Sequence, residues 1–269
     1  MQPGQSVHRQ EAEPDLDQVR PRVGLFVTCL VDIFRPTVGL AAVRLLEDAG
    51  CAVEVPAVQS CCGRNGGADA TAMAMGMAKA VIETFEDFDH VVAPSGSCAA
   101  TLRRYPSLFA DDDWPVRAKA FAGKVHELTG FLVDVLGVST VTARLKGSAT
   151  YHDACRGLLD LGIREQPRRL LGSVEGLTLK EMKDAGACCG LDGNACEAHA
   201  ADRTIARIRA AGSGLLLSAD LGCLMNMAAR LKRGGSAIEV RHVAEVLAGM
   251  NDTPPIGGTR MRRAAGRAG

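Results

Sequence analysis

The feature that most constrains this chain is a repeat in its cysteines. Of ten cysteines, four stand at Cys29, the adjacent pair Cys61-Cys62 and Cys98, and four more at Cys155, the pair Cys188-Cys189 and Cys223. The offsets between the two sets are 126, 127, 127 and 125 residues. Their contexts repeat too. Ser60-Cys61-Cys62-Gly63 answers Ala187-Cys188-Cys189-Gly190, and the apolar run Val91-Val92-Ala93 before Cys98 answers Leu216-Leu217-Ser218 before Cys223. A fixed internal period sets the architecture before any local reading. The chain is therefore expected to be a tandem duplication. Cys51 and Cys196 fall outside the repeat and are read as small buried hydrophobes.

Within each half, short apolar runs alternate with stretches of helical period, the pattern of βαβ units on a mostly parallel sheet. In the first half, strands are expected at 23–28, 51–56 and 89–94, and helices at 36–49, at 70–85 and following Cys98. The second half repeats the strands at 149–152, 177–179 and 214–218. Each half is expected to close on an apolar helix, His126 to Gly137 and His242 to Gly249. Met73, Met75 and Met77 are read as core filling. The fold class is α/β, a tandem duplication of a mostly parallel-sheet α/β lobe. The expected organisation is a disordered tail over 1–21, lobes over 22–140 and 141–250, and a second disordered tail over 251–269.

Composition narrows the partners. Lys plus Arg and Asp plus Glu both number 31 in 269 residues, so no global positive field is present to hold nucleic acid or an anionic membrane. No stretch approaches the ~20 apolar residues that span a bilayer. Residues 1–21 carry Glu11, Glu13, Asp15 and Asp17 without an apolar run, unlike a secretory signal or a basic transit peptide. A cytoplasmic location is expected. There, cysteines in numbers read as metal ligands or reactive thiols rather than as disulfides.

In three segments of each half the cysteines follow an expected strand. They should emerge together at the carboxyl edge of the sheet, where open α/β sheets bind ligands. The spacings are C-x31-C-C-x35-C and C-x32-C-C-x33-C. Neither the paired C-x2-C knuckles of common zinc sites nor the C-x2-C-x2-C-x3-C run of bacterial ferredoxins occurs. Two adjacent thiolates reach neighbouring irons only where the backbone bends sharply, and a glycine follows each pair. Iron with sulfide fits this pattern better than a single zinc ion. Three other readings are weaker. Ser95-Gly96-Ser97-Cys98 has the look of a nucleophile elbow, and a Cys98 hydrolase would need His126 or His152 within reach. The loop from Cys61 to Gly67 lacks a dinucleotide fingerprint or a P-loop lysine. His152-Asp153 beside Cys155 would tune a cluster through hydrogen bonds or act as structural polar residues; His8, His90, His126, His199 and His242 are read as structural or exposed.

These blocks resemble the cysteine-rich CCG domain found in heterodisulfide reductases and in the iron–sulfur component of glycolate oxidase. The resemblance is greatest to the lactate utilization protein A family, on Thr28-Cys29-Leu30-Val31-Asp32, Ala93 to Ala100, Tyr151-His152-Asp153-Ala154-Cys155 and Gly222-Cys223-Leu224-Met225-Asn226. It covers about residues 22–249. It implies an iron–sulfur cluster, of the [4Fe-4S] type, held by Cys29, Cys61, Cys62, Cys98, Cys155, Cys188, Cys189 and Cys223. It also implies an electron-transfer component of a lactate-oxidising complex, acting with companions that include a ferredoxin-type iron–sulfur protein. A glycolate oxidase or heterodisulfide reductase-like assembly is the alternative. The chain departs from these patterns in four places. Ser95 and Asp220 stand where the heterodisulfide reductase motif has the first cysteine of C-x-x-C. Arg156 follows Cys155 where the family has His, and Leu191-Asp192 replaces Phe-Gly after the second Cys-Cys-Gly.

Overall fold

The computed structural model describes residues 20–64, 71–109, 114–191 and 199–258. In the first lobe the elements are β1 (Arg22–Leu25), α1 (Cys29–Phe34), α2 (Pro36–Asp48), β2 (Ala52–Glu54), α3 (Thr71–Phe85), β3 (His90–Ala93), α4 (Gly96–Arg103), α5 (Trp114–Gly123), β4 (Val125–Glu127) and the short α6 (Leu128–Gly130). The second lobe runs β5 (Arg144–Tyr151), α7 (Cys155–Leu161), α8 (Glu165–Gly172), β6 (Glu175–Leu179), α9 (Ala200–Ala210), β7 (Leu215–Ser218), α10 (Leu221–Arg233), β8 (Glu239–His242) and α11 (Val243–Leu247). The two sheets have the same topology, β2-β1-β3-β4 and β6-β5-β7-β8, with every pairing parallel. The duplication read from the cysteines is thus a duplication of fold.

Side chains alternate across each sheet, as strand geometry requires. Val23, Leu25 and Val92 face a core that also takes Ala149, Tyr151, Leu215 and Leu217 of the second sheet, with Leu45, Leu46, Leu170, Val243 and Leu247 from helices of both lobes. The opposite face of the first sheet, including Phe26, Val91 and Ala93, packs on Ile82 and Phe85 of α3. Leu216 and Val240 of the second sheet pack in the same way on Ile208, Leu224 and Leu231. The lobes therefore share one core and each keeps a second of its own. A buried ion pair reinforces the shared side, with Arg35 Nε donating to both oxygens of Glu245 at 2.9 and 3.0 Å.

Helices α4 and α7, one from each lobe, meet at Gly96 and Gly157. A Cβ on Gly96 would lie 2.8 Å from the Cα of Gly157, whereas a Cβ on Gly157 would sit at an ordinary 3.5 Å from Gly96 Cα. The backbones can approach this closely only because Gly96 has no side chain.

The structure differs from the sequence reading in several places. Each lobe has a fourth strand. The segments read as closing helices begin as β4 and β8, because Val125 to Glu127 and Glu239 to His242 pair with β3 and β7 before the chain turns helical. Met73 is 66% exposed, so it does not fill the core. Residues 251–258, expected within a disordered tail, are held by the second lobe. Arg241 Nη1 donates to Thr253 O at 2.6 Å, and the Ile256 amide donates to Val240 O at 2.8 Å. Residues 1–19 and 259–269, His8 and Cys196 lie outside the described residues. Cys51 is buried in the shared core, as expected of a small hydrophobe. Among the described residues, no helix is long and apolar enough to cross a membrane.

Two outcomes follow from this packing. Gly96→Ala is expected to destabilise the protein by about 1–3 kcal/mol, because the added methyl must displace backbone of the other lobe. Gly157→Ala is expected to be neutral or slightly stabilising, since a helical glycine gives way to a better helix former; urea unfolding of both variants checks the pair. The second outcome concerns His126. Its ring nitrogen lies 3.3 Å from that of His90, and both rings pack on Phe131. Burial first, then the positive charge on His90 and on Arg103, push His126 down from 6.5 to about 4. The unfolded chain therefore takes up this proton before the folded one does. Stability present above pH 6.5 is lost as the pH falls from there toward 4. His126→Gln is expected to unfold at lower pH than the parent in a circular dichroism titration.

Candidate metal centre

The strand order places β1 beside β3, and β5 beside β7, where successive connections leave in opposite directions. At such a point the carboxyl ends of the strands part and form a crevice. Cys29 opens α1 just past β1, Cys98 lies in the first turn of α4 past β3, and Cys61 and Cys62 lie in the loop past β2. Cys155, Cys223 and the pair Cys188-Cys189 occupy the matching places after β5, β7 and β6.

Local contacts fix these loops. Gly63 and Gly190 have φ of +78° and +81°, so the chain turns sharply at the residue that follows each cysteine pair, in a region that side chains disfavour. In the first lobe Gln59 ties the cysteine loop to the end of β1. The Val27 amide donates to its Oε1 at 2.9 Å, and its Nε2 donates to Leu25 O at 3.1 Å. Tyr105 Oη donates to Cys62 O at 3.2 Å. In the second lobe Asn226 Nδ2 donates to Cys189 O at 2.7 Å, and Thr204 Oγ1 to Cys188 O at 2.9 Å.

The first set forms two close sulfur pairs, Cys29 to Cys61 at 3.8 Å and Cys62 to Cys98 at 3.5 Å. Without metal Cys29, Cys61 and Cys62 hold their protons. Burial and then the neighbouring Cys61 push Cys29 up, while the hydrogen bond with Cys62 and burial push Cys61 up. At Cys62 the hydrogen bond with Cys61 lowers the value, but the contact with Cys98 and burial outweigh it and push it up to about 12. A cationic metal reverses this balance, since ligating thiols must lose their protons.

In the second set Cys189 and Cys223 lie 3.0 Å apart, both buried. Their mutual hydrogen bond holds Cys189 below the usual thiol range and pushes Cys223 well above it. Cys155 lines the same crevice with Cys188, Cys189 and Cys223. Cys188 is half-buried and disulfide-bonded, so it can bind metal only after reduction. Arg156, which stands where the family has a histidine, turns its guanidinium to Asp160, 3.2 Å away. Asp153 is taken by Arg168, which donates to both of its oxygens at 2.8 and 3.0 Å.

His152 follows the last residue of β5. It is fully buried, and apart from its interaction with the Cys189 thiol neither ring nitrogen has a hydrogen-bond partner. A ring nitrogen and the sulfurs of Cys189 and Cys223 lie within 4.8 Å of one another. A buried polar group left unpaired costs roughly 1–3 kcal/mol. The tuning role expected for this residue has one contact behind it, since the interaction with His152 helps to hold the Cys189 thiol below the usual range. The signal was present in the repeat. The 126-residue offset that pairs Cys29 with Cys155 also pairs Phe26 with His152.

The two crevices meet at the seam between the lobes. Ser95 caps α4 by accepting from the Cys98 amide at 3.4 Å, and Asp220 caps α10 by accepting from the Cys223 amide at 3.1 Å. These two caps, the positions at which the heterodisulfide reductase motif has cysteines, face one another. Ser95 Oγ donates to Asp220 Oδ2 at 3.0 Å, and Ser97 donates to the same oxygen through its hydroxyl and, at 3.4 Å, its amide. Burial raises the Asp220 carboxyl, but the Ser97 hydroxyl, the Cys223 amide and the charge of Arg64 outweigh it and hold the group ionised below its ordinary range. Arg64, just past the first Cys-Cys-Gly, also lines the second crevice. Cys98 has a sulfur neighbour, His126 an imidazole one and His152 the sulfurs of Cys189 and Cys223, so neither histidine stands as the partner that a Cys98 hydrolase requires.

The donor chemistry suits a thiophilic metal, with four cysteines at one crevice and cysteines with a buried imidazole at the other. Comparison with known proteins agrees. Residues 23–103 and 149–228 each match the CCG family, described as a cysteine-rich domain. The chain is 44% identical over 237 residues to lactate utilization protein A of Bacillus cytotoxicus, covering 84% of this chain and 98% of that one. It is 44% identical over 241 residues to lactate utilization protein A of Geobacillus kaustophilus, covering 86% of this chain and all of that one. A crystal structure of a hypothetical protein from Helicobacter pylori shares the fold, with a TM-score of 0.59 at 9% identity over 87% of this chain and 49% of that one. Two CCG matches that bracket the cysteine repeat, and an identity that runs through nearly the whole of such relatives, lead to one conclusion: the chain belongs to the lactate utilization protein A family of CCG-domain proteins.

Proposed function

We propose that this chain is the iron–sulfur electron-transfer component of a system that oxidises L-lactate to pyruvate. The observation that carries the proposal is the convergence of two matching cysteine sets at the carboxyl ends of two identically ordered parallel sheets. The names of the relatives supply the metabolic setting. When bound, a cluster of the [4Fe-4S] type accepts and releases single electrons, with a potential set by its ligands and surroundings.

In the first lobe Cys29, Cys61, Cys62 and Cys98 would hold such a cluster. In the second, Cys155, Cys189 and Cys223 would do so, joined by Cys188 once reduced. The protein's part is to converge the thiols, to turn the chain at Gly63 and Gly190, and to direct the first turns of α4 and α10 at the centres, where their amides favour negative charge. Lactate gives up two electrons and two protons on becoming pyruvate. The sequence has no dinucleotide fingerprint to take such a pair, so the proposed assembly includes companions, among them a ferredoxin-type iron–sulfur protein.

Protein purified without oxygen is expected to be brown and to carry acid-labile sulfide in proportion to iron; zinc without sulfide would sink the electron-transfer reading. Cys62→Ser is expected to release the iron of the first lobe while circular dichroism stays unchanged, because serine is close to cysteine in size and the other side chains of that lobe's outer core stay packed. The isolated chain is expected not to oxidise lactate. Turnover at the rate of the reconstituted assembly would show that the companions are unnecessary.

A further inference from the structure

The two lobes are equivalent in topology but not at one position beside the sulfurs. In the first lobe Phe26 belongs to the same core cluster as Cys62, with Cys98 packed against it, and its ring lies 5.8 Å from that of Phe85. The matching position in the second lobe is His152, which lies against Cys189 and Cys223, the counterparts of Cys62 and Cys98. An apolar ring backs one sulfur pair, and a buried imidazole whose neighbours are the sulfurs themselves backs the other. Burial without a hydrogen bond is unfavourable for imidazole, and the same site accepts a phenyl ring at no such cost. Thr150 and Ser218, whose hydroxyls are also buried nearby on β5 and β7, have no hydrogen-bonding partner either and do not supply one to His152.

We propose that His152 is a direct nitrogen ligand of the second centre, so that the lobes hold chemically different centres: all thiolate in the first, thiolate and imidazole in the second. The donor set is His152 with Cys189 and Cys223, and Cys155 lines the same crevice. This rests on the iron–sulfur reading above. Neutral imidazole places one negative charge fewer on the cluster than a thiolate does, and this raises the potential of the centre, as histidine ligation does in other iron–sulfur proteins. The second lobe thus provides the more easily reduced of two sites joined by one seam. Electrons entering at the first lobe run downhill to the second.

The test uses the full-length protein purified without oxygen, or reconstituted with ferrous iron and sulfide. Pulsed electron paramagnetic resonance of protein grown with 15N-histidine is expected to show a strong coupling from a histidine nitrogen. Among the described residues, His152 is the only histidine grouped with cysteine sulfurs. That coupling is expected to vanish in His152→Phe, which copies the first lobe, and in His152→Cys. The latter restores an anionic ligand and is expected to move one midpoint potential to a more negative value while the other stays fixed. If the variants fold poorly, the labelled wild-type protein decides alone. A cluster-bearing wild type without histidine coupling, or coupling that persists in a folded His152→Phe, overturns the assignment of His152 and leaves the iron–sulfur reading standing. Protein that binds zinc and no sulfide overturns that reading, and this proposal with it.

Discussion

The carboxylate of Asp220 is 2% exposed and sits between the first turns of two helices from different lobes. It accepts from the Cys223 amide on its own side and from Ser95 and Ser97 across the seam. A buried charge is tolerated only with such a complete set of donors. Because those donors belong to the turns that present Cys98 and Cys223, meeting the needs of one carboxylate also fixes the mutual position of the two crevices. Next to it Gly96 lets α4 touch α7, and His242 Nε2, 3.1 Å from Pro94 O, ties the end of β8 to the end of β3. The shared core brings the lobes together, and this polar cluster sets their register.

Much of this arrangement is legible in the sequence, and the limits are physical. The cysteine offsets, the helical periods of α2 and α3 and the apolar runs of β1, β3 and β7 each reflect a rule that acts within a few residues. Strands β4 and β8 do not. Val125 to Glu127 and Glu239 to His242 are short and lead directly into a helix, and only hydrogen bonds to β3 and β7 make them strands. The ordered stretch 251–258 likewise depends on Arg241 and Val240, neither of which is local to it. At the centre, the cysteines were readable and their neighbours were not. Gln59 is unremarkable in sequence, yet it pins the loop that carries Cys61 and Cys62. The burial of His152 depends on which face of β5 it follows, and the few residues before Cys155 cannot state that.

Two of the differences between the halves lie where the halves meet or beside the cysteine sulfurs. The sheets kept their order and the cysteines their places. At these two positions Phe26 answers to His152, and Ser95 to Asp220. Packing tolerates such exchanges because each outer core is separate, so a ring exchanged in one lobe does not press on the other.

Ser95 and Asp220 occupy matching positions and touch, and α4 meets α7 as α10 meets α1, so the lobes are related by a pseudo-two-fold axis that passes between these two residues. In a pair of identical, unlinked lobes, a residue on such an axis meets its own copy, so it must complement itself. Two aspartates there would set like charges against each other in a buried place, and two serines would leave the helix amides around them with no charge to bind. Joining the lobes in one chain removes the requirement of self-complementarity. A donor can then stand on one side and an acceptor on the other. The Ser95–Asp220 contact is thus a bond that two identical, unlinked lobes could not make.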